Sequence, residues 1–251
     1  MLNQISESCR YLLQHYPNAQ EARDYLNNRL TKESQEKFQF GYYPPIKHIS
    51  ALIDLIGSEE LIQEKLMYQK EMEDSSGYRN INISYFQDHP LTLPFRDQYG
   101  KVIALVNRSL LPEKERESKK IIKYKNTVFK KGNYLFGLFE NKQSILEKGC
   151  VYLVEGQFDV IKASEKGITN IVALGSSYLT AYQFGVIRRY TDHLILLLDN
   201  DQAGDKGRMA AKKKFGYLAH FQNFYIPQPY KDIDEYLSAL GDDEPSFVVK
   251  S

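Results

Sequence analysis

Acidic residues follow three apolar segments in the second half of the sequence, each at the point where the segment ends. The pair EG comes after CVYLV, the triplet DND after HLILLL, and the run KDIDE after FYIPQPY. The acids are Glu155, Asp199, Asp201, Asp232 and Asp234. Carboxylates held close together raise one another's pKa unless a cation neutralises them. Because Mg²⁺, or Mn²⁺ in its place, takes oxygen ligands and links carboxylates to substrate phosphates, the pattern predicts a divalent-metal site for chemistry on phosphate.

The segments around these acids alternate between continuous apolar runs and helical stretches from Gly149 onward. This alternation predicts a parallel sheet covered by helices, and in such sheets ligands bind beyond the carboxyl ends of the strands. Asp159 falls one turn into the helix predicted after Glu155, so it is added to the metal-side acids. Asp159 or Asp201 alone would indicate a helix cap, but three acidic motifs at successive strand ends favour a metal site.

The first half of the sequence combines short helices with short strands. Helix starts are predicted at Asn18, Thr31 and Ser58, the first from the capping-box spacing of Asn18 and Glu21. Beyond them, the segments INISYF, LTLPF and KVIALV predict a small antiparallel or mixed sheet. The polar segment of residues 111–131 predicts a long, mobile connection that can close on a ligand. The predicted fold class is therefore α/β, with a helical and mixed-sheet lobe ahead of the parallel sheet.

Charge is balanced overall but unevenly distributed. The formal net charge is +1, yet six lysines and no acid lie within residues 119–131. Such a run is typical either of a solvated loop or of a surface that follows nucleic-acid phosphates. Charge alone does not decide between the two.

Composition argues against a zinc centre, a disulfide framework and a membrane anchor. The two cysteines, Cys9 and Cys150, lie in no CxxC or CxxH motif, and the five histidines are scattered. No apolar run approaches the roughly 18 residues of a membrane span, and MLNQISESCR lacks the features of a secretion signal. We therefore expect a cytoplasmic protein that uses an oxygen-bound cation, without zinc and without membrane contact.

Three segments in the second half resemble a known domain. VEGQFDV, LLLDNDQAG and KDIDEYL are similar to the three signatures of the Toprim domain, which bacterial-type primases, topoisomerases and some nucleases share. The resemblance implies that Glu155 acts as a general acid or base or as a metal ligand. It also implies that Asp199 and Asp201 bind Mg²⁺, with Asp232 and Asp234 as supporting acids.

The rest of the sequence resembles the catalytic core of the bacterial, DnaG-like primases. The similar segments are YLNNRLTKESQEKFQFGYYP, LPFRDQYGKVIALVNRSL, KYKNTVFKKGNYLFGL and ALGSSYLTAYQ, and the match covers about Tyr25 to Leu240. The resemblance implies two lobes: residues 1–148 bind template and nucleotides, and residues 149–251 form a Toprim domain with a short C-terminal segment. The implied activity is RNA primer synthesis from ribonucleotides on single-stranded DNA.

The same resemblance assigns five basic residues to the template, the nucleotide phosphates or the initiating triphosphate. These residues are Arg29, Arg96, Arg108, Lys123 and Lys131. Their chemistry suits phosphate, which arginine grips with two donors and lysine attracts as a point charge. Surface ion pairs are the alternative for Arg29 and Arg96. The family's glycine pair before Arg108 is replaced by Val106-Asn107, which makes the backbone there less permissive.

Two modules of the larger primases have no counterpart in this sequence, namely the N-terminal zinc ribbon and the C-terminal helicase-docking domain. The expectation is either an excised core or a compact primase of a phage or plasmid, with a replicative helicase or a separate zinc-ribbon protein acting in trans. Two other functions stay open. One is a metal-dependent Toprim nuclease, and the other is a non-catalytic accessory that binds single-stranded DNA.

Overall fold

The computed structural model describes residues 1–74, 77–241 and 243–250, and the chain divides into two compact units. The first unit comprises Met1–Phe95 and Lys101–Phe129, and the second comprises Arg96–Gly100 and Lys130–Ser251. The lobes predicted from the sequence, residues 1–148 and 149–251, are functional assignments and stay predictions.

The first unit combines six helices and six strands among the described residues. In chain order they are α1 (Leu2–His15), α2 (Gln20–Asn27), α3 (Lys32–Phe38), β1 (Gly41–Tyr42), α4 (Ser50–Ile56), α5 (Ser58–Gln63), β2 (Met67–Asp74), β3 (Gly77–Ser84), β4 (Leu91–Arg96), β5 (Val102–Arg108), α6 (Glu113–Ser118) and β6 (Tyr124–Asn126). Four strands form a sheet in the order β1-β4-β5-β6, and β2 and β3 form an antiparallel hairpin. The predicted mixture of helices and short strands is confirmed.

The helix starts illustrate which local signals decide the fold. The Thr31 hydroxyl accepts a hydrogen bond from the Ser34 amide at 3.2 Å and caps α3, as its position predicts. The predicted cap at Asn18 is wrong, because α2 begins at Gln20 after a 3₁₀ turn over Pro17–Ala19. The Asn18 amide lies instead 3.1 Å from the His48 ring.

Residues 111–131 do not form an irregular connection. They contain α6, and they also contain β6, which pairs antiparallel with β5 through Val106 and Asn126. The predicted connection therefore contains two regular elements, while its mobility and its closure on a ligand stay predictions. Its polar composition comes from the exposed surface of these two elements and not from a lack of structure.

The second unit is built on a mainly parallel sheet. Its elements are α7 (Leu138–Lys148), β7 (Val151–Val154), α8 (Gln157–Glu165), β8 (Ile171–Ala173), α9 (Ala181–Ile187), β9 (His193–Leu196), α10 (Gln202–Phe215), β10 (His220–Tyr225), α11 (Ile233–Ala239) and β11 (Val248–Lys250). The strand order is β11-β10-β9-β7-β8. All neighbours are parallel except β11, which adds to β10 in the antiparallel direction. The predicted alternation of strands and helices is confirmed.

The core of the second unit explains why its strand sequences are continuously apolar. The members of the cluster are Leu135, Leu138, Ile145, Val151, Leu153, Val172, Leu174, Leu179, Phe184, Val186, Ile187, Leu194, Leu196, Leu198, Ala211 and Phe215. Each fully buried side chain of this size contributes about 1.5–3 kcal/mol to folding. The cluster therefore fixes the strand ends from which the acidic residues project.

Within the described ranges, no helix combines the length and the apolar character that crossing a bilayer requires.

Candidate active site

The ends of β7 and β9 bring Glu155 and Asp199 together. The two strands are parallel neighbours, with Leu153 opposite Leu196. Glu155 follows the last residue of β7, and the backbone amide of Asp199 donates a hydrogen bond to Oε1 of Glu155 at 3.3 Å. Parallel strands deliver their carboxyl ends to one edge of the sheet, so these two acids share an edge although they are far apart in sequence.

The carboxyl of Asp199 is the electrostatic centre of the site. Burial and, after it, the negative charges of Glu155, Asp232 and Asp201 together raise its pKa to about 7, whereas Lys231 opposes the shift. Burial also raises the pKa of Glu155. A bound cation would neutralise the negative charge that these carboxylates share.

Asp201 and Asp232 each cap the helix that follows them. The Asp201 carboxylate accepts hydrogen bonds from the amides of Ala203 and Gly204, both at 2.9 Å, at the start of α10. These bonds, chiefly the one from Gly204, lower the pKa of Asp201 and keep it ionised. Asp232 accepts from the Glu235 amide at 2.8 Å at the start of α11. In both residues the cap uses Oδ1.

Asp159 holds two helix starts together. Its Oδ2 accepts from the Gly156 amide at 2.8 Å and its Oδ1 from the Asp234 amide at 3.2 Å. Burial and, after it, the charge of Asp199 raise the pKa of Asp159 to about 8, although the two amide hydrogen bonds oppose the shift. Since both oxygens are engaged by backbone amides, these contacts give Asp159 a structural part, and its metal role stays a prediction.

Glycine allows α10 to approach the end of β9 closely. A Cβ on Gly204 would stand 2.1 Å from the carbonyl oxygen of Asp199, and a Cβ on Gly207 would stand 2.0 Å from that of Ser177. Both distances are far inside van der Waals contact. Both positions therefore require glycine so that α10 can pack against the chain, independently of any bound ligand.

The oxygen donors at this edge of the sheet are of the kind that a divalent cation takes. Among the side chains that the structure describes, no three His, Cys, Asp or Glu residues converge to hold a metal ion. Mg²⁺ is usually held by one or two carboxylates together with substrate phosphates, so a closed cluster of three is not required. The oxygen-only donors and the raised pKa of Asp199 fit such a cation. The carboxylates of Asp199 and Asp201 would hold it together with substrate phosphates, and Glu155 lies beside Asp199 as a further donor.

In the first unit, basic and aromatic side chains alternate around Arg108. The Arg29 guanidinium lies 5.6 Å from the centre of the Tyr25 ring, and the Arg108 guanidinium lies 5.2 Å from the centre of the same ring. Arg108 also lies 5.1 Å from the Tyr124 ring centre, and Lys123 lies 5.7 Å from it. The structure thus gathers three of the five predicted phosphate contacts, because cations stack favourably on aromatic rings.

Arg96 and Lys131 belong to the second unit. Arg96 forms an ion pair with Glu140 at 2.6 Å, and both side chains are almost completely buried, at 5% and 6% exposure. Arg96 therefore forms an ion pair, as the alternative interpretation of the sequence proposed, but a buried one and not one at the surface. Its contact with phosphate stays a prediction. The stem of Lys131 packs over Gly175, where a Cβ would stand 2.7 Å from its Cδ.

Asn107 explains how the chain accommodates the loss of a family glycine. Its side chain is fully buried and donates to the His89 carbonyl at 2.8 Å and to the Thr92 hydroxyl at 2.9 Å. The residue therefore anchors the end of β5 just before Arg108.

Sequence reasoning missed one charged residue at the carboxylate edge. Arg208 on α10 is only 2% exposed and donates to the carbonyls of Leu198 and Asp199 at 2.6 and 3.2 Å. An arginine in a polar helix gives no signal of burial. The spacing of Gly204 and Gly207, which marks a close approach of the helix, was the available clue.

A parallel sheet with carboxylates beyond two neighbouring strand ends defines the second unit as a Toprim-like domain, and a Toprim-like family model matches residues 152–237. A second model, DNA primase catalytic core, N-terminal domain, matches residues 10–142. The chain belongs to the family of bacterial, DnaG-like DNA primases. A Toprim domain implies the use of a divalent metal.

Relatives and solved structures agree with this family. A DNA primase from Aquifex aeolicus is 29% identical over 98% of this chain and 48% of its own length. The crystal structure of the zinc-binding and RNA polymerase domains of the Aquifex aeolicus primase superposes with a TM-score of 0.74 at 29% identity, over 96% of this chain and 57% of that one. A DnaG primase catalytic domain bound to single-stranded DNA shares the fold, with a TM-score of 0.72 at 24% identity, over 96% and 76%. The chain thus spans about half the length of the curated relative.

Proposed function

We propose that this chain synthesises RNA primers from ribonucleotides on single-stranded DNA. The observation that carries the proposal is the hydrogen-bonded pair of Glu155 and Asp199 at the edge of the sheet, whose accumulated negative charge calls for a cation. Membership of the primase family also supports primer synthesis as the function. Phosphoryl transfer needs little beyond positioning and charge stabilisation, which a few carboxylates with a cation supply.

Each acid has a distinct part in the proposal. Mg²⁺, or Mn²⁺ in its place, would neutralise charge on the nucleotide phosphates, with Asp199 and Asp201 as its protein ligands. Glu155 acts as a further ligand or as the base that accepts the proton of the attacking 3′-hydroxyl, for which its raised pKa is suited. Asp159, Asp232 and Asp234 support these groups, the first two by fixing the helix starts around them.

The basic residues supply the contacts to phosphate. Arg29, Arg108 and Lys123 form one basic and aromatic group in the first unit, and Lys131 presents a further charge in the second. Single-stranded nucleic acid is commonly bound by cations interleaved with aromatic rings, on which bases stack. The DnaG domain of similar fold that was solved with single-stranded DNA supports the choice of template.

The test is a single incubation with three distinguishable outcomes. The protein is mixed with single-stranded DNA, Mg²⁺ and labelled ribonucleotides, and a parallel reaction contains deoxynucleotides. Labelled RNA products support the proposal. Template scission would indicate the Toprim nuclease, and binding without either product would indicate the accessory function. A Glu155→Gln variant serves as the control for contaminating polymerase.

Partners and location remain predictions from the sequence. A replicative helicase or a zinc-ribbon protein acting on the same template would raise the local concentration of the enzyme, because docking makes the second binding event intramolecular.

A further inference from the structure

Arg208 is a buried cation that grips the backbone beside Asp199. Its Nη2 donates to the carbonyl of Leu198 at 2.6 Å, and its Nη1 donates to the carbonyl of Asp199 at 3.2 Å. The two carbonyls belong to successive peptide groups, so one guanidinium holds both peptide planes that flank the Asp199 Cα. The Asp199 amide is held in turn by Glu155.

Three further features fix the guanidinium itself. Its Cζ lies 4.3 Å from the centre of the Tyr225 ring, a stacking distance for arginine. Asp205, one turn earlier on α10, pairs with Nη1 at 3.1 Å but is 62% exposed. Gly204 lets the helix come close enough, since a Cβ there would stand 3.2 Å from Nη1 of Arg208.

The burial of the charged Arg208 side chain requires a physical explanation. Burying a guanidinium is costly unless its donors are satisfied, and a purely apolar side chain would fill the same space at no such cost. What an apolar side chain cannot do is to hold two carbonyls in a fixed direction. The planar fork of arginine does this, and the single ammonium of lysine does not.

We propose that Arg208 is a positioning residue that sets the direction of the Asp199 carboxylate toward the divalent cation. The inference rests on the proposed function, because it presupposes that Asp199 is a metal ligand. Residues that orient a metal ligand typically contribute tenfold to a hundredfold to metal affinity. Removal of Arg208 should therefore weaken metal binding by about tenfold or more in a chain that remains folded.

The experiment compares three variants by Mn²⁺ binding, with free Mn²⁺ measured by electron paramagnetic resonance and folding by circular dichroism. Arg208→Met removes the charge and the fork, and Arg208→Lys keeps the charge alone. Asp205→Asn is the matched control, because it removes the ion pair and leaves both carbonyl contacts. We expect a dissociation constant raised about tenfold in Arg208→Met, raised by a smaller factor in Arg208→Lys, and changed less than about twofold in Asp205→Asn.

A second readout separates positioning from plain stability. If Arg208 only stabilises the fold, its loss lowers the unfolding free energy, but a variant that is fully folded by circular dichroism keeps the wild-type Mn²⁺ concentration for half-maximal priming. If it positions Asp199, the metal concentration for half-maximal priming rises while the rate at saturating Mn²⁺ recovers.

Each outcome has one meaning. A folded Arg208→Met protein that binds Mn²⁺ like the wild type overturns the inference and leaves the proposed function intact. If Arg208→Met does not fold, the folded Arg208→Lys protein decides, and unchanged affinity there overturns the inference. A wild-type protein that binds no Mn²⁺ overturns the metal part of the proposed function, and the inference falls with it.

Discussion

The backbone amide of Asp199 donates a hydrogen bond to the Glu155 carboxylate at 3.3 Å, and this contact joins the ends of two parallel strands. It places the acids of two separate sequence motifs at one edge of the sheet. One carboxylate thereby positions the backbone of the residue that carries the other. A substitution of either residue should consequently alter the position of both.

Asp201 caps α10 and is also predicted to bind the metal ion. Two substitutions separate these two roles. Asparagine caps helices about as well as aspartate, so Asp201→Asn should keep its melting temperature but lose primer synthesis by more than about 100-fold. Asp201→Ala should lose synthesis equally and also lose about 1 kcal/mol of unfolding free energy. Thermal unfolding and a primer assay measure the two effects. Near-normal synthesis by Asp201→Asn would remove Asp201 from the metal site.

The stability of the metal-free protein should depend on pH through Asp159. Its pKa is about 8 in the folded state and about 3.9 in an unfolded chain, so the folded state binds more protons in between. Its contribution to the unfolding free energy is therefore fully present below about pH 4 and is lost as the pH rises to about 8.

The comparison with Asp159→Asn isolates this contribution from other titrating groups. Denaturant unfolding in EDTA from pH 5 to 9 should show a steeper loss of stability with rising pH in the wild type than in the variant. Parallel pH profiles for the two proteins would contradict the raised pKa of Asp159.

Lys123 should contact a phosphate of the template. Lys123→Ala should then reduce the slope of log K against log salt by about 0.7, the value for one phosphate of a single strand. The matched control is Lys119→Ala, since Lys119 is half-exposed and pairs with Glu115 at 2.6 Å. Fluorescence anisotropy with labelled single-stranded DNA measures both slopes. An unchanged slope combined with a raised KM for nucleotides would assign Lys123 to the nucleotide, and no change in either would return it to a solvated surface.

Substitutions at the buried ion pair of Arg96 and Glu140 distinguish a structural role of Arg96 from a contact with phosphate. Arg96→Met leaves the Glu140 charge buried and unpaired, so the unfolding free energy should fall by about 3–5 kcal/mol. The double variant Arg96→Met/Glu140→Leu should recover most of this loss, because the stranded charge is gone. If Arg96→Met kept its stability but lost nucleotide binding, the phosphate role predicted from the sequence would hold instead.

The sequence predicted the edge of the parallel sheet because local signals and tertiary structure agree there. CVYLV and HLILLL are apolar throughout, as strands buried on both faces must be, and the acids come directly after them. Thr31 was likewise readable, since a cap depends on residues within one turn.

Other contacts depend on distant residues and left no local trace. Arg208 meets Tyr225 and the carbonyl of Leu198 only when α10 lies against the sheet. Arg96 and Glu140 lie 44 positions apart, so their pairing had no signature in spacing. The cap predicted at Asn18 failed because the preceding proline favours a 3₁₀ turn, which delays the helix to Gln20.

Primer synthesis by the wild type and by Asp199→Ala is the most direct test of the central claim. Both proteins are incubated with single-stranded DNA, Mg²⁺ and labelled ribonucleotides, and their template affinities are measured in the same buffer. The account predicts labelled RNA from the wild type, none from Asp199→Ala, and nearly equal template binding by the two. Equal synthesis by both proteins, or template scission without RNA from the wild type, would contradict it.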